Sequence, residues 1–119
     1  MEQIEHVLTD RGSKYAVSWG PAADRTAADA FLKTLKRKKK YAKATHNTWA
    51  LLLPGEPIKN DDGESGAGMV ILRMLERSSI EGIIVVVTRW YGGVHLGGDR
   101  FRHVQTCVNA FLEAHVAQK

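Results

Sequence analysis

The chain has 119 residues, of which 44% are apolar and 25% charged. A length of that order suits one domain with a real core, and the composition is that of an ordinary globular protein. It excludes a disordered tail, a collagen-like repeat and a coiled coil. A single cysteine, Cys107, excludes an intrachain disulfide and fits a reducing compartment. The net charge of +4 comes from 17 Lys and Arg against 13 Asp and Glu. Such a balance permits nucleic acid or an acidic partner without requiring either. Residues 1–6 are polar and acidic, so no basic region leads into an apolar stretch as a targeting signal would need. No apolar run is longer than the one at residues 83–87, which is far short of a membrane span of about 20 residues. The expected location is cytoplasmic.

In chain order, residues 4–8 and 15–19 read as a hairpin. The turn between them, Thr9 to Ser13, has chemistry that favours reversal and a Gly able to take positive φ. Gly20-Pro21 closes the second run. A helix follows over residues 26–38, opened by a Thr26-to-Asp29 capping box and striped by Ala27, Phe31 and Leu35. Residues 45–53 read as a strand that becomes buried on both faces. Pro54-Gly55 ends it, and residues 54–68 read as one long loop, the kind that often carries function. The spacing of Met69, Leu72 and Leu75 predicts a second helix over 67–77. Residues 83–87 are nearly all β-branched, as in a central strand covered on both faces. A Gly-rich loop, 91–98, leads to a last helix over 99–114 with Asp99 as its N-cap. The order β-β-α-β-α-β-α is that of an α/β two-layer sandwich, one mixed sheet with helices packed on it.

Three features could carry chemistry. Lys36, Arg37, Lys38, Lys39, Lys40 and Lys43 place six charges within eight residues. Without them, 11 basic residues face 13 acidic ones, so the rest of the chain is slightly acidic. This run is either a solvated helix end, favourably placed on the macrodipole, or a contact for phosphates or an acidic protein surface. Asp61, Asp62 and Glu64, with Gly63 between them, precede a Gly-rich helix start. They could cap that helix, bind a protein, or hold a cation for a small enzyme. The calcium-loop pattern fails, because its twelfth position from Asp61 is Leu72. Residues 88–100 combine Arg89, Trp90, Tyr91 and Arg100 with the pairs Gly92-Gly93 and Gly97-Gly98. Stacking faces beside guanidinium forks suit a protein hot spot or a single-stranded nucleic-acid platform. Alternatively an aromatic anchors the core and Arg89 pairs with Asp61, Asp62 or Glu64. Cys107 reads as a buried thiol. His46 suits a core hydrogen bond or acid/base work, and His95 and His103 have no metal-ligand set around them.

Lys43-Ala-Thr-His-Asn47, Asp61-Asp-Gly-Glu64, Val86-Val-Thr-Arg-Trp-Tyr-Gly-Gly93, Leu96-Gly97 and Asp99-Arg-Phe101 occur in an order and spacing that resemble the IMPACT family, whose bacterial relatives are the YigZ proteins. The resemblance covers residues 40–112 and is nearer the eukaryotic branch. It implies a fold like domain 2 of ribosomal protein S5. It implies a role in translational control, binding the ribosome-associated activator of the starvation-responsive initiation-factor-2 kinase and dampening that kinase. No catalytic activity is established for the family, so no enzyme, cofactor or metal is implied. Eukaryotic members generally add an RWD domain, for which these residues leave no room. The expected organisation is therefore one IMPACT-like domain over 1–119. The motif residues that would meet a partner are Asp61, Asp62, Gly63, Glu64, Arg89, Trp90, Tyr91, Gly92, Gly93 and Arg100. RNA binding through the basic run and the Arg-Trp-Tyr loop is the alternative. The two motif loops are expected side by side, with Arg89 or Arg100 within reach of the acidic loop.

Overall fold

The computed structural model describes residues 1–118, so Lys119 lies outside the described residues. Strands β1 (Glu2–Asp10) and β2 (Ser13–Pro21) pair antiparallel with Asp10 opposite Ser13. Arg11 (φ 47°) and Gly12 (φ 82°) make the two-residue turn, both on the positive side that a type I′ hairpin requires.

Helix α1 (Arg25–Lys36) starts one residue before the expected capping box. Its cap is Asp24 rather than Thr26: the Asp24 carboxylate accepts the Ala27 N–H at 2.8 Å. Asp is the stronger capping residue, and Asp24 has the extended backbone that a cap needs. The helix also stops at Lys36, and the basic run continues into a separate turn, α2 (Lys39–Ala42). In one continuous helix Tyr41 would lie about 240° around from Leu35, off the apolar stripe. The break turns Tyr41 inward, where it is 1% exposed.

Strand β3 (His46–Leu53) is followed by β4 (Glu56–Asn60), which replaces part of the long loop expected at 54–68. Only Ile58 of β4 is buried, so the segment has no apolar alternation to announce it. Its edge position also tolerates Pro57. Helix α3 (Ala67–Arg77) is as expected, β5 (Ile83–Trp90) extends the apolar run by three residues, and α4 (Asp99–Ala117) closes the fold. Asp99 is not the N-cap of α4. Gly98 is, and the Asp99 carboxylate pairs with Arg11 and Arg102.

The sheet order is β1-β2-β5-β3-β4, with every pairing antiparallel rather than mixed. Strands β2 and β3 run the same way, but β5 lies between them and runs against both. No parallel ladder can form. The helices cover both faces, which adds a layer to the two-layer reading. Helices α3 and α4 pack on Tyr15, Val17, Trp19, Val85 and Val87. Helices α1 and α2 pack on Ala16, Trp49, Leu51, Ile84 and Val86. The alternation along β5 explains its continuous apolar run: successive side chains feed opposite cores. Cys107 is fully buried in the first core, and burial pushes its thiol up to about 12.

One close approach ties the hairpin to the end of β5. A Cβ on Gly92 would lie 2.0 Å from the Gly12 carbonyl carbon and 2.4 Å from Ser13 N. Both are backbone atoms and cannot swing aside. Gly92→Ala is therefore expected to cost about 2–3 kcal/mol in urea unfolding. Gly98→Ala (φ −66°, open space) should be neutral within about 0.5 kcal/mol. Equal effects would show that the Gly12–Gly92 contact does not constrain the fold.

Candidate functional site

The acidic loop and the end of β5 meet on the sheet face covered by α3 and α4. Alternation sends Arg89 to this face and its neighbours Thr88 and Trp90 to the other. Arg89 and Glu64 are each 6% exposed. Arg89 Nη1 donates to both Glu64 oxygens, at 2.9 and 3.2 Å, and Nη2 donates to Ser13 Oγ at 3.3 Å. The guanidinium lies between the rings of Tyr15 and Tyr91, 5.8 Å from each centroid. From the first turn of α4, Arg100 Nε approaches Glu64 at 3.4 Å. From the start of β3, His46 Nε2 stands 3.8 Å away. The expected meeting of the two loops is what the structure shows, and Glu64 is the acid that Arg89 selects.

The other two acids are occupied in building the loop. Asp61 accepts the Gly66 N–H at 3.0 Å and the Gly68 N–H at 2.7 Å, so it caps α3 from five residues upstream. Gly66, the formal cap position, has no side chain to do so. Partial burial pushes the Asp61 carboxyl up, but the two amide bonds and nearby Lys59 pull it down, leaving it below its ordinary value. Asp62 accepts the Asn47 N–H at 2.7 Å through its carboxylate, and its carbonyl accepts His46 Nδ1–H at 2.8 Å. Gly63 (φ 86°) turns the chain between them and Glu64. A cation at this loop would have to displace these bonds. Among the described residues no group of three or more His, Cys, Asp or Glu is placed to hold a metal ion. Among them, too, no helix is long and apolar enough to cross a membrane.

Above the Glu64–Arg89 pair opens a cavity of about 350 Å³, lined by Glu64, Arg89, Arg100, His46, Tyr91 and His95, with Thr45, Leu96 and Gly97 at its sides. Tyr91 is 43% exposed, and its ring packs 5.6 Å from that of His95. Thus four of the ten motif residues converge here: Glu64, Arg89, Tyr91 and Arg100. Trp90 does not. It points to the opposite face, where its Nε1 donates to Lys40 O at 2.9 Å and its ring meets Tyr41 edge-on. Gly92 contacts Gly12, and Gly93 (φ 91°) faces open space. The sequence assigned no site role to Thr45, His95 or Ser13, and for His46 it left a core hydrogen bond and acid/base work both open. Thr45 and His46 stood in the Lys43-to-Asn47 motif, but only the β3–β5 register, with His46 opposite Arg89, shows what they face.

The basic residues 36–40 and 43 are all exposed, and they lie on the Trp90 side of the sheet. Lys40 Nζ stands 5.1 Å over the Trp90 ring and Lys38 donates to Gln3 Oε1 at 3.1 Å. Neighbours in sequence, the run and the pocket are separated by the sheet itself.

The family model described as the Impact N-terminal domain matches residues 11–112. The chain belongs to this family. Among its relatives, Protein IMPACT homolog of Caenorhabditis elegans is 38% identical over 114 residues, which cover 89% of this chain and 44% of the relative. Protein IMPACT of Homo sapiens is 36% identical over 111 residues, 88% of this chain and 35% of the relative. The chain therefore spans less than half the length of either protein. A crystal structure described only as that of a hypothetical protein superposes with a TM-score of 0.78 at 25% identity, covering 89% of this chain and 54% of the other. The two-domain translational regulator Yih1 superposes with a TM-score of 0.52 at 32% identity, covering 87% of this chain and 42% of Yih1. The Impact N-terminal fold is thus an antiparallel sheet with helices, as found here.

Two outcomes follow from this geometry. Glu64→Leu strands the buried Arg89 charge and is expected to cost about 3–5 kcal/mol, whereas Glu64→Leu with Arg89→Met should recover most of that loss. Additive losses in urea titrations would show that the two charges do not depend on each other. Asp61 has a folded-state pKa below its unfolded value, so its stabilisation is present above about pH 4 and is lost as pH falls through the folded value. Asp61→Asn should lower stability by about 1 kcal/mol at pH 7 and by less at pH 2.5. A deficit of equal size at both values would contradict the cap.

Proposed function

We propose that this chain is a non-catalytic protein-binding module in translational control, acting in the cytoplasm. In this reading it binds the ribosome-associated activator of the initiation-factor-2 kinase and dampens the amino-acid-starvation response. The observation that carries the reading is the open cationic pocket at the junction of the family motifs. Arg89, Arg100 and an exposed Tyr91 there form a hot-spot composition on a rigid frame. Membership of the Impact N-terminal domain family and the likeness to a translational regulator support the translational setting. The pocket's carboxylate supports a binding rather than a chemical role. Glu64 is held by two guanidinium groups, so its oxygens are engaged in the frame of the site.

RNA binding is the second reading, favoured by the six exposed charges of the basic run. The Trp90 ring meets Tyr41 edge-on and carries Lys40 Nζ 5.1 Å over it, so a base would have to displace Lys40 to stack on that face.

Capture from ribosome-containing cytosolic extract separates the two. Arg89 is unsuitable as a probe because its loss would damage the fold, whereas Tyr91 is exposed. Tyr91→Ala should reduce capture of the activator about tenfold, and changing Lys38, Lys39 and Lys40 to Glu should reduce it less. Capture that survives Tyr91→Ala but is abolished by the Lys changes, or by ribonuclease, would overturn the protein-binding reading.

A further inference from the structure

The Glu64 carboxylate does not use all that its two arginines offer. Arg89 Nη1 and Nη2 are engaged by Glu64 and Ser13, but Arg89 Nε is buried without a hydrogen-bond partner. Arg100 Nε is likewise buried without one, its 3.4 Å approach to Glu64 being an ion pair without hydrogen-bond alignment. Both Nε atoms are shielded from solvent, so it is the Arg100 side chain, 33% exposed and lining the cavity, that offers its terminal guanidinium edge to an acceptor there. The cavity, about 350 Å³, is at the small end of the range for ligand sites and admits a side chain.

Charge narrows the ligand. Arg89 and Arg100 against Glu64 leave one formal positive charge, which one monoanion neutralises. A dianion would overcompensate it and leave the site with a net negative charge. The planar guanidinium fork matches a carboxylate. The Tyr91 ring and Leu96 give the walls an apolar surface for the methylenes of an acidic side chain. We propose that this pocket takes the carboxylate of an aspartate or glutamate in a partner protein. The assignment rests on the reading that this surface binds a protein, and it names what that protein must present.

The test is NMR of the full 15N-labelled chain, following backbone amides and arginine Nε–H groups. The probe is a blocked hexapeptide of alternating glutamate and glycine, set against its glutamine version and inorganic phosphate. Saturable shifts are expected at Tyr91, at Gly97 and at the Nε–H of Arg89 and Arg100. The glutamine peptide and phosphate should bind at least about tenfold more weakly. Arg100→Gln should weaken the glutamate peptide about tenfold, while Lys39→Ala leaves it unchanged. If Arg100→Gln does not fold, the glutamate-to-glutamine ratio on the unaltered chain decides alone. Tighter binding of phosphate, shifts centred on the basic run, or no shift in the pocket up to about 20 mM peptide would overturn the assignment. Peptide binding without activator capture would remove the translational reading and leave the pocket. Capture sensitive to Tyr91→Ala without peptide binding would do the reverse.

Discussion

The buried Glu64–Arg89 pair is the contact on which the rest of the site depends. Taking both charges out of water costs several kcal/mol per ion, and attraction offsets this only when the geometry is good. Here the geometry joins three elements. Arg89 ends the central strand, Glu64 precedes α3, and Arg100 opens α4. Ser13, at the start of β2, holds the far side of Arg89. The pair therefore fixes where the acidic loop lies on the sheet, and the pocket is the space left above it.

The acidic motif divides its labour along the chain. Asp61 caps α3, Asp62 fastens the loop to the start of β3, and Gly63 reverses the backbone. Only then is Glu64 delivered to Arg89. Three carboxylates close in sequence would repel one another on one surface. The loop avoids this by giving each its own donors: helix amides, a strand amide and guanidinium groups. A cluster that looks like a cation site in one dimension is thereby spent on positioning. The formal charge of Arg89, Arg100 and Glu64 around the cavity is positive, not negative.

The chain's basic character is likewise split by the sheet. The run at 36–43 covers the α1–α2 side, and the pocket opens on the α3–α4 side. Arg89 and Trp90 are adjacent, yet strand alternation places one in each region. Two surfaces with different chemistry result: a dispersed cluster of solvated basic side chains, and a small open pocket with two arginines and two aromatic walls. The first suits long-range attraction and the second suits selection.

The sequence by itself determined much of this protein. Periodicity located α3, α4 and the central strand, because their apolar patterns are strong and uninterrupted. The spacing of the motif segments pointed to the family, and the pairing of Arg89 with the acidic loop was legible from opposite charges beside glycine turns. Local signals were ambiguous elsewhere. The cap Asp24 lies two residues before Thr26, and β4 buries one side chain, so the true start of α1 and the fourth strand were hidden. What only the tertiary structure decided was direction. Strand insertion made the sheet antiparallel, pleat parity sent Trp90 away from Arg89, and register brought His46 opposite Arg89. These outcomes depend on which strands become neighbours, and that is set by long-range packing of two cores rather than by any stretch of residues read in order.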